Sequence, residues 1–161
     1  MHIMQPIELI LILHDIRSVH NVGSLFRTAD GAGVARIILS GCTPTPIDRF
    51  GRERQDFAKV SLGAEKTMPW SYANNVHTEL DRLKEDTYTI AALEQDARSS
   101  SLLGWRPENA RVALILGNEV GGIAPDLLDR ADVILEIPMY GLKESLNVSV
   151  VGGIALFGMR F

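Results

Sequence analysis

IELILILHDIRSVHNVGSLFRTADGAGVARIILSG, residues 7–41, holds an apolar run, a helical pattern and a second apolar run, in that order. The run from Ile7 to Leu13 is broken only by Glu8. Asn21 to Gly31 then places Val22, Leu25, Phe26 and Ala29 at i, i+3, i+4 and i+7, one face of a helix. The pattern repeats along the chain. TYTIAALE (87–94), RVALILGN (111–118) and ADVILEIP (131–138) read as further strands. Asn75 to Glu85, with Val76, Leu80 and Leu83 in phase, reads as a helix, and Pro125 opens a short one through Arg130. Strands that are continuous runs of Ile, Val and Leu are covered on both faces. The fold class expected is α/β, a mostly parallel sheet with helices on both faces. The tail from Ser145 to Phe161 is apolar nearly all round and is expected to bury itself against the sheet or another subunit, with Ser145 as its N-cap.

The composition sets outer bounds. A chain of 161 residues, 46% hydrophobic, is expected to form a single domain over residues 1–161 with a real core. Cys42 is its one cysteine, so no internal disulfide forms, and a cytoplasmic protein is expected. The first apolar run is too short for a membrane span and lacks the flanks of a signal peptide. Net charge is −4, which argues against indiscriminate coating of nucleic acid. The charge is uneven, however. Residues 14–66 hold eight Lys or Arg against six Asp or Glu, whereas residues 77–136 hold six against twelve. One basic side can still meet phosphate.

Function is written in three glycine-bearing stretches at strand ends: HNVGSLFRTADGAGV (20–34), LILGNEVGG (114–122) and IPMYGLKESLNVSVVGG (137–153). Strand ends that meet such loops are where open α/β sheets bind ligands. Each stretch also has an ordinary structural explanation. Asn21 could cap a helix and Arg27 could be a solvated helix residue. Glu119 could be an exposed acid in a tight turn. A cap would explain Ser145, although nothing structural demands Asn147. Familiar signatures fail: Arg36 stands where a dinucleotide fingerprint needs its third glycine, and no Gly-Lys-Ser/Thr follows GNEVGG. His2, His14, His20 and His77 lack metal-ligand spacing, and no metal is expected. Ser145 with His14 or His20 could form a hydrolytic triad in space, but no G-x-S-x-G elbow surrounds it. Trp70, Trp105 and Tyr140 could stack on bases, though a lone tryptophan is more often core or rim. CTPTPIDRFGRERQ (42–55) reads as a loop carrying Arg49, Arg52 and Arg54.

Taken together the three stretches resemble the motifs of the SpoU (TrmH) family of RNA ribose 2′-O-methyltransferases, in the SPOUT superfamily. Asn21, Gly23 and Arg27 match Asn-x-Gly-x-x-x-Arg. Gly117, Asn118, Glu119 and Gly122 match Gly-Asn-Glu-x-x-Gly. Ile137, Pro138, Met139, Gly141 and Ser145 to Ser149 match the closing motif. SLGAEKTMPW (61–70) is similar to a family segment between the first two. The resemblance spans residues 9 to 157 and implies a deep C-terminal trefoil knot and a homodimer built over the active sites. It implies S-adenosylmethionine as cofactor, with Gly117, Ile137, Leu146, Met139 and Leu93 around the adenosine. It implies Arg27 as the group that activates a ribose 2′-hydroxyl of tRNA or rRNA, oriented by Glu119 and Asn21, with Ser145 and Asn147 holding the ribose or the loop. With no appended RNA-binding domain in these 161 residues, recognition is expected from the catalytic domain, its dimer partner or another protein. A noncatalytic RNA- or nucleotide-binding module is the alternative.

Overall fold

The computed structural model describes residues 6–161, so His2 lies outside the described residues. The elements run β1 (Glu8–His14), α1 (Val19–Gly31), β2 (Arg36–Ser40), α2 (Gln55–Ser61), α3 (Ala64–Thr67), β3 (Trp70–Ala73), α4 (Val76–Glu85) and β4 (Thr89–Leu93). They continue with β5 (Ser100–Ser101), β6 (Arg111–Leu116), α5 (Pro125–Leu128), β7 (Val133–Glu136) and α6 (Val148–Gly158). The five strands expected from apolar runs all form, and β3 and β5 are added at the sheet edges.

The sheet order is β3-β2-β1-β6-β4-β7-β5, and every pairing between these strands is parallel. Side chains alternate across it into two cores. Leu9, Leu11, Leu13, Leu114 and Leu116 face α1, α2 and α6, with Phe26, Phe57, Ala155 and Leu156. Ile10, Ile12, Ile38, Ala113 and Ile115 face α4 and α5, with Leu80, Leu83, Leu127 and Leu128. Helices thus cover both faces, as the unbroken apolar runs require. Phe26 and Phe57 pack edge to face, 5.1 Å between centroids, joining α1 to α2. That approach depends on Gly23, where a Cβ would come within 3.0 Å of the Val60 Cβ.

Two expected caps move. Ser18, not Asn21, caps α1: its hydroxyl accepts from the Asn21 amide at 3.2 Å. Asn147, not Ser145, caps α6, its carbonyl accepting from the Ser149 amide at 2.8 Å. In both cases the first helical turn starts a few residues away from where apolar periodicity places it, because the capping oxygen and not the first apolar residue defines the end. The apolar tail is tied down by Arg160, which donates to the carbonyls of Ala32 (2.9 Å), Gly33 (2.6 Å) and Ile7. No helix among the described residues is long and apolar enough to cross a membrane.

Candidate active site

Because all strands are parallel, their carboxyl ends share one edge of the sheet, and the neighbours β1, β6, β4 and β7 end there side by side. A cavity of about 600 Å³ opens at that edge, within the usual range for small-molecule sites. Leu93, Gly117, Ile137, Met139 and Leu146 all line it, together with Glu119, Ser145 and Asn147. Eight of the ten residues singled out from sequence therefore share one cavity. Leu116, Val148 and Val151 complete its apolar wall, and Glu94, Glu136 and Glu144 add carboxylates.

The three motif stretches are joined by side-chain hydrogen bonds. Asn21, only 7% exposed, donates through Nδ2 to Glu119 Oε1 at 3.2 Å. Its Oδ1 accepts from Asn147 Nδ2 at 3.1 Å. Glu119 also accepts from the backbone amides of Arg17 (3.2 Å) and Ser18 (3.1 Å). One carboxylate thus holds the start of α1, and one amide chain links residues almost 130 positions apart. Asn21 satisfies both ends of its amide in this way, which explains why a polar group can be buried there.

Burial pushes the Glu119 carboxyl up. The backbone amides of Glu119, Ser18 and Arg17 and the Asn21 side chain outweigh this and hold it below the ordinary 4.5. A lowered folded value means the carboxylate's contribution is complete above the ordinary value and is lost as pH falls through the lowered one. The stability gap between wild type and Glu119→Gln is therefore expected to shrink as pH drops below 4.5. Thermal melts across pH check this; a gap unchanged down to the acid limb would show that Glu119 is not held as a charged group.

Asn118 organises the second stretch. Its Oδ1 accepts from the amides of Val120 (3.0 Å) and Gly121 (2.8 Å), and its Nδ2 donates to the Asp15 carbonyl at 2.8 Å. Asn118 and Gly122 pair as an isolated antiparallel bridge. Gly117 is forced: a Cβ there would lie 2.6 Å from Ile123 Cγ1 and 2.7 Å from the Gly122 carbonyl oxygen. Glu94 supports the same turn, accepting from the Ile123 amide at 2.9 Å. Sequence reading passed over Glu94, although it directly follows the strand TIAAL and the strand-end rule applies to it equally.

Arg27 stands apart. It is exposed on α1 and lines a second depression with His20, Ser24, Lys59, Leu62 and Phe157. Glu119 and Asn21 do not bond it, because their polar atoms are taken up by each other, by Asn147 and by the amides of Arg17 and Ser18. The hydrolytic triad loses its base. His14 bonds Ser40 Oγ at 2.8 Å and approaches Asp15 at 3.3 Å, and His20 lies in the second depression, away from Ser145. Ser40 itself is 1% exposed and out of reach of a substrate. Trp70 and Trp105 pack against the core, whereas Tyr140 is exposed beside the cavity loop. No group of three or more His, Cys, Asp or Glu among the described residues is arranged to hold a metal ion.

A wholly parallel α/β sheet, with a cavity at its carboxyl edge closed by three cross-linked glycine-bearing loops, defines a class of ligand-binding domain. Within that class the chain belongs to the SpoU rRNA Methylase family, which matches residues 8–157. It is 34% identical over 152 residues to the 23S rRNA (guanosine-2′-O-)-methyltransferase RlmB of Neisseria meningitidis, covering 94% of this chain and 58% of that protein. The AdoMet-bound rRNA methyltransferase structure from Sinorhizobium meliloti superposes with a TM-score of 0.84 at 29% identity, over 97% of this chain and 57% of that one. The TrmH/SpoU tRNA modifying enzyme of A. aeolicus gives 0.81 at 26% identity, over 95% of this chain and 74% of that one. The chain thus spans rather more than half the length of the RlmB protein it matches.

Proposed function

We propose that this domain is an S-adenosylmethionine-dependent methyltransferase acting on a ribose 2′-hydroxyl of tRNA or rRNA. The observation that carries it is the Glu119–Asn21–Asn147 chain at the mouth of a cavity of about 600 Å³. The fit is chemical as well as spatial. Leu93, Ile137, Met139 and Leu146 supply apolar walls for a base, and Gly117 lets the Gly122–Ile123 turn close tightly behind one of them. The RlmB and AdoMet-bound relatives point to the same reaction.

When bound, S-adenosylmethionine supplies an electrophilic methyl carbon on a sulfonium. Held among Gly117, Ile137, Leu146, Met139 and Leu93, it would supply that methyl to the ribose oxygen, with the sulfur keeping the bond's electron pair as a thioether and the hydroxyl proton passing to phosphate or water. A guanidinium stays protonated in proteins, so Arg27 acts as a cation that lowers the hydroxyl pKa and grips the adjacent phosphate. Ser145 and Asn147 hold the ribose or the loop, and the bonds of Asn147 to Asn21 and Ser149 favour the loop for it. The chemistry needs no metal, and the work belongs in the cytoplasm.

The working unit is a homodimer. Val150, Ile154 and Phe157 leave the outer face of α6 apolar and partly exposed. The helix is 11 residues long, roughly 16 Å. Val148 and Val151 line the cavity at its start, and Phe157 lines the Arg27 depression at its end. A two-fold contact across antiparallel α6 helices would set each subunit's Arg27 beside its partner's cavity. That arrangement reconciles the distance between Arg27 and Glu119 with a shared role. Residues 1–161 act as one domain, and we place the trefoil knot in its C-terminal third. There β6 enters between β1 and β4, β7 lies beyond β4, and α6 returns to pack on α1.

Calorimetric titration with S-adenosylmethionine is the direct test, followed by a methyl-transfer assay on tRNA and rRNA. Saturable binding is expected. Absence of binding at millimolar concentration would defeat the reading, and binding without transfer to either RNA would leave the noncatalytic module.

A further inference from the structure

The loop between β2 and α2 is not a plain connection. Ile47 and Glu53 pair as an antiparallel bridge, closing a small hairpin around Asp48–Arg52. Asp48 locks its tip: its carboxylate accepts from the amides of Phe50 (2.8 Å) and Arg52 (3.0 Å) and from Arg52 Nε (2.9 Å). The Asp48 amide donates to the Arg52 carbonyl at 2.8 Å, and Gly51 makes the turn at φ 77°. These bonds hold the Asp48 carboxyl below its usual range, chiefly through the Arg52 amide. At the tip Phe50 is 66% exposed. The Arg49 guanidinium lies 4.8 Å from its ring centroid and that of Arg52 lies 5.0 Å away. Arg52 is paired with Asp48, whereas Arg49 pairs with no acid among the described residues.

A single exposed aromatic is ordinary on a protein surface. A preordered one, projecting from a locked turn with two guanidinium groups about 5 Å from its centroid, is what an unpaired base needs. Aromatic rings and arginine planes both offer stacking faces, and the free arginine can take the neighbouring phosphate. Position supports this. The hairpin is rooted at the carboxyl edge of β2, the edge that carries the cavity. The Cys42 amide donates to Asp15 Oδ1 at 2.9 Å, and the Asp15 carbonyl accepts from Asn118 of the cavity turn at 2.8 Å. Tyr72 steadies the same root, its hydroxyl donating to the Gly41 carbonyl at 2.6 Å.

We propose that the Asp48–Arg52 hairpin is an RNA-docking finger, in which Phe50, with Arg52 held beside its ring, stacks on an unpaired nucleotide of the substrate while Arg49 binds the adjoining phosphate. This rests on the methyltransferase reading above and adds to it the part of the chain that grips single-stranded RNA.

The test uses the whole chain and a fluorescently labelled, mixed-sequence single-stranded RNA of about 12 nucleotides. Anisotropy measures its binding, and S-adenosylmethionine calorimetry and light scattering run on the same preparations. Phe50→Ala is expected to weaken RNA binding about 5- to 100-fold, and Phe50→Trp to restore it. Arg49→Ala is expected to reduce the slope of log K against log salt by about 0.7. Cofactor affinity and dimer mass should not change in any of the three. RNA binding by Phe50→Ala within about twofold of wild type, or no RNA binding by the wild type, would overturn the finger while leaving the cofactor site standing. A changed dimer mass in Phe50→Ala would overturn it in favour of a contact between subunits. Failure of the wild type to bind S-adenosylmethionine would instead remove the methyltransferase reading on which it rests.

Discussion

Arg27→Ala is expected to lower single-turnover methyl transfer by about 100- to 1,000-fold, the usual loss when one charge-stabilising donor is removed. S-adenosylmethionine affinity should stay near wild type, because Arg27 lines none of the cavity. Arg27→Lys should also be poor, since a point charge does not replace a planar fork on ribose and phosphate. Arg27 is solvent-exposed on α1, so a purely structural arginine predicts normal turnover in both variants. Near-wild-type rates would remove Arg27 from the mechanism.

The proposed dimer sharpens this expectation. If Arg27 serves the partner's cavity, mixing Arg27→Ala subunits with subunits unable to bind cofactor should regenerate one complete site in each mixed dimer. Equal mixing then restores about one quarter of the wild-type activity. If Arg27 serves its own cavity, mixing restores nothing. A monomeric mass by light scattering would defeat both forms of the dimer proposal.

Gly117→Ala should produce the second large effect, a loss of S-adenosylmethionine affinity on the order of 10- to 100-fold. The added methyl would sit 2.6 Å from Ile123 Cγ1, 2.7 Å from the Gly122 oxygen and 2.8 Å from the Gly122 carbon. Two of those neighbours are backbone, so the Asn118–Gly122 turn itself must move, and with it one wall of the cavity. Overpacking of this kind typically costs about 1–3 kcal/mol of stability as well. Gly141→Ala is the matched control: it belongs to the third motif, yet nothing lies within 4 Å of its would-be Cβ. Calorimetry on both variants, with melting curves to confirm folding, decides the matter. Wild-type affinity in Gly117→Ala would show that the turn does not shape the cofactor site.

The α/β class was legible in the sequence because burial on both faces leaves a mark on every residue of a strand. The runs in β1, β2, β4, β6 and β7 carry that mark. Trp70–Ala73 does not, since β3 is an edge strand with Ser71 and Tyr72 exposed, and the two residues of β5 are both exposed. α2 escaped notice for a similar reason: its seven residues bury only Phe57 and Ser61, too few for a helical period to emerge. That the three glycine-bearing stretches would meet was also legible, because strand ends and glycines are local signals and a parallel sheet delivers its strand ends to one edge; the individual residues expected around the cofactor came from the family resemblance.

Partnership among those residues was not legible. Sequence reading gave Asn21 and Asn147 separate roles, one orienting Arg27 and the other holding the ribose or the loop, and only the fold shows that Asn147 caps α6 and binds Asn21, which binds Glu119. The same holds for Arg27, whose motif places it with Glu119 although α1 turns it into a different depression. A strand or helix is declared by the periodicity of its own residues. A hydrogen bond between residues 98 or 126 positions apart depends on how the whole sheet and its helices pack, and no local pattern carries that information.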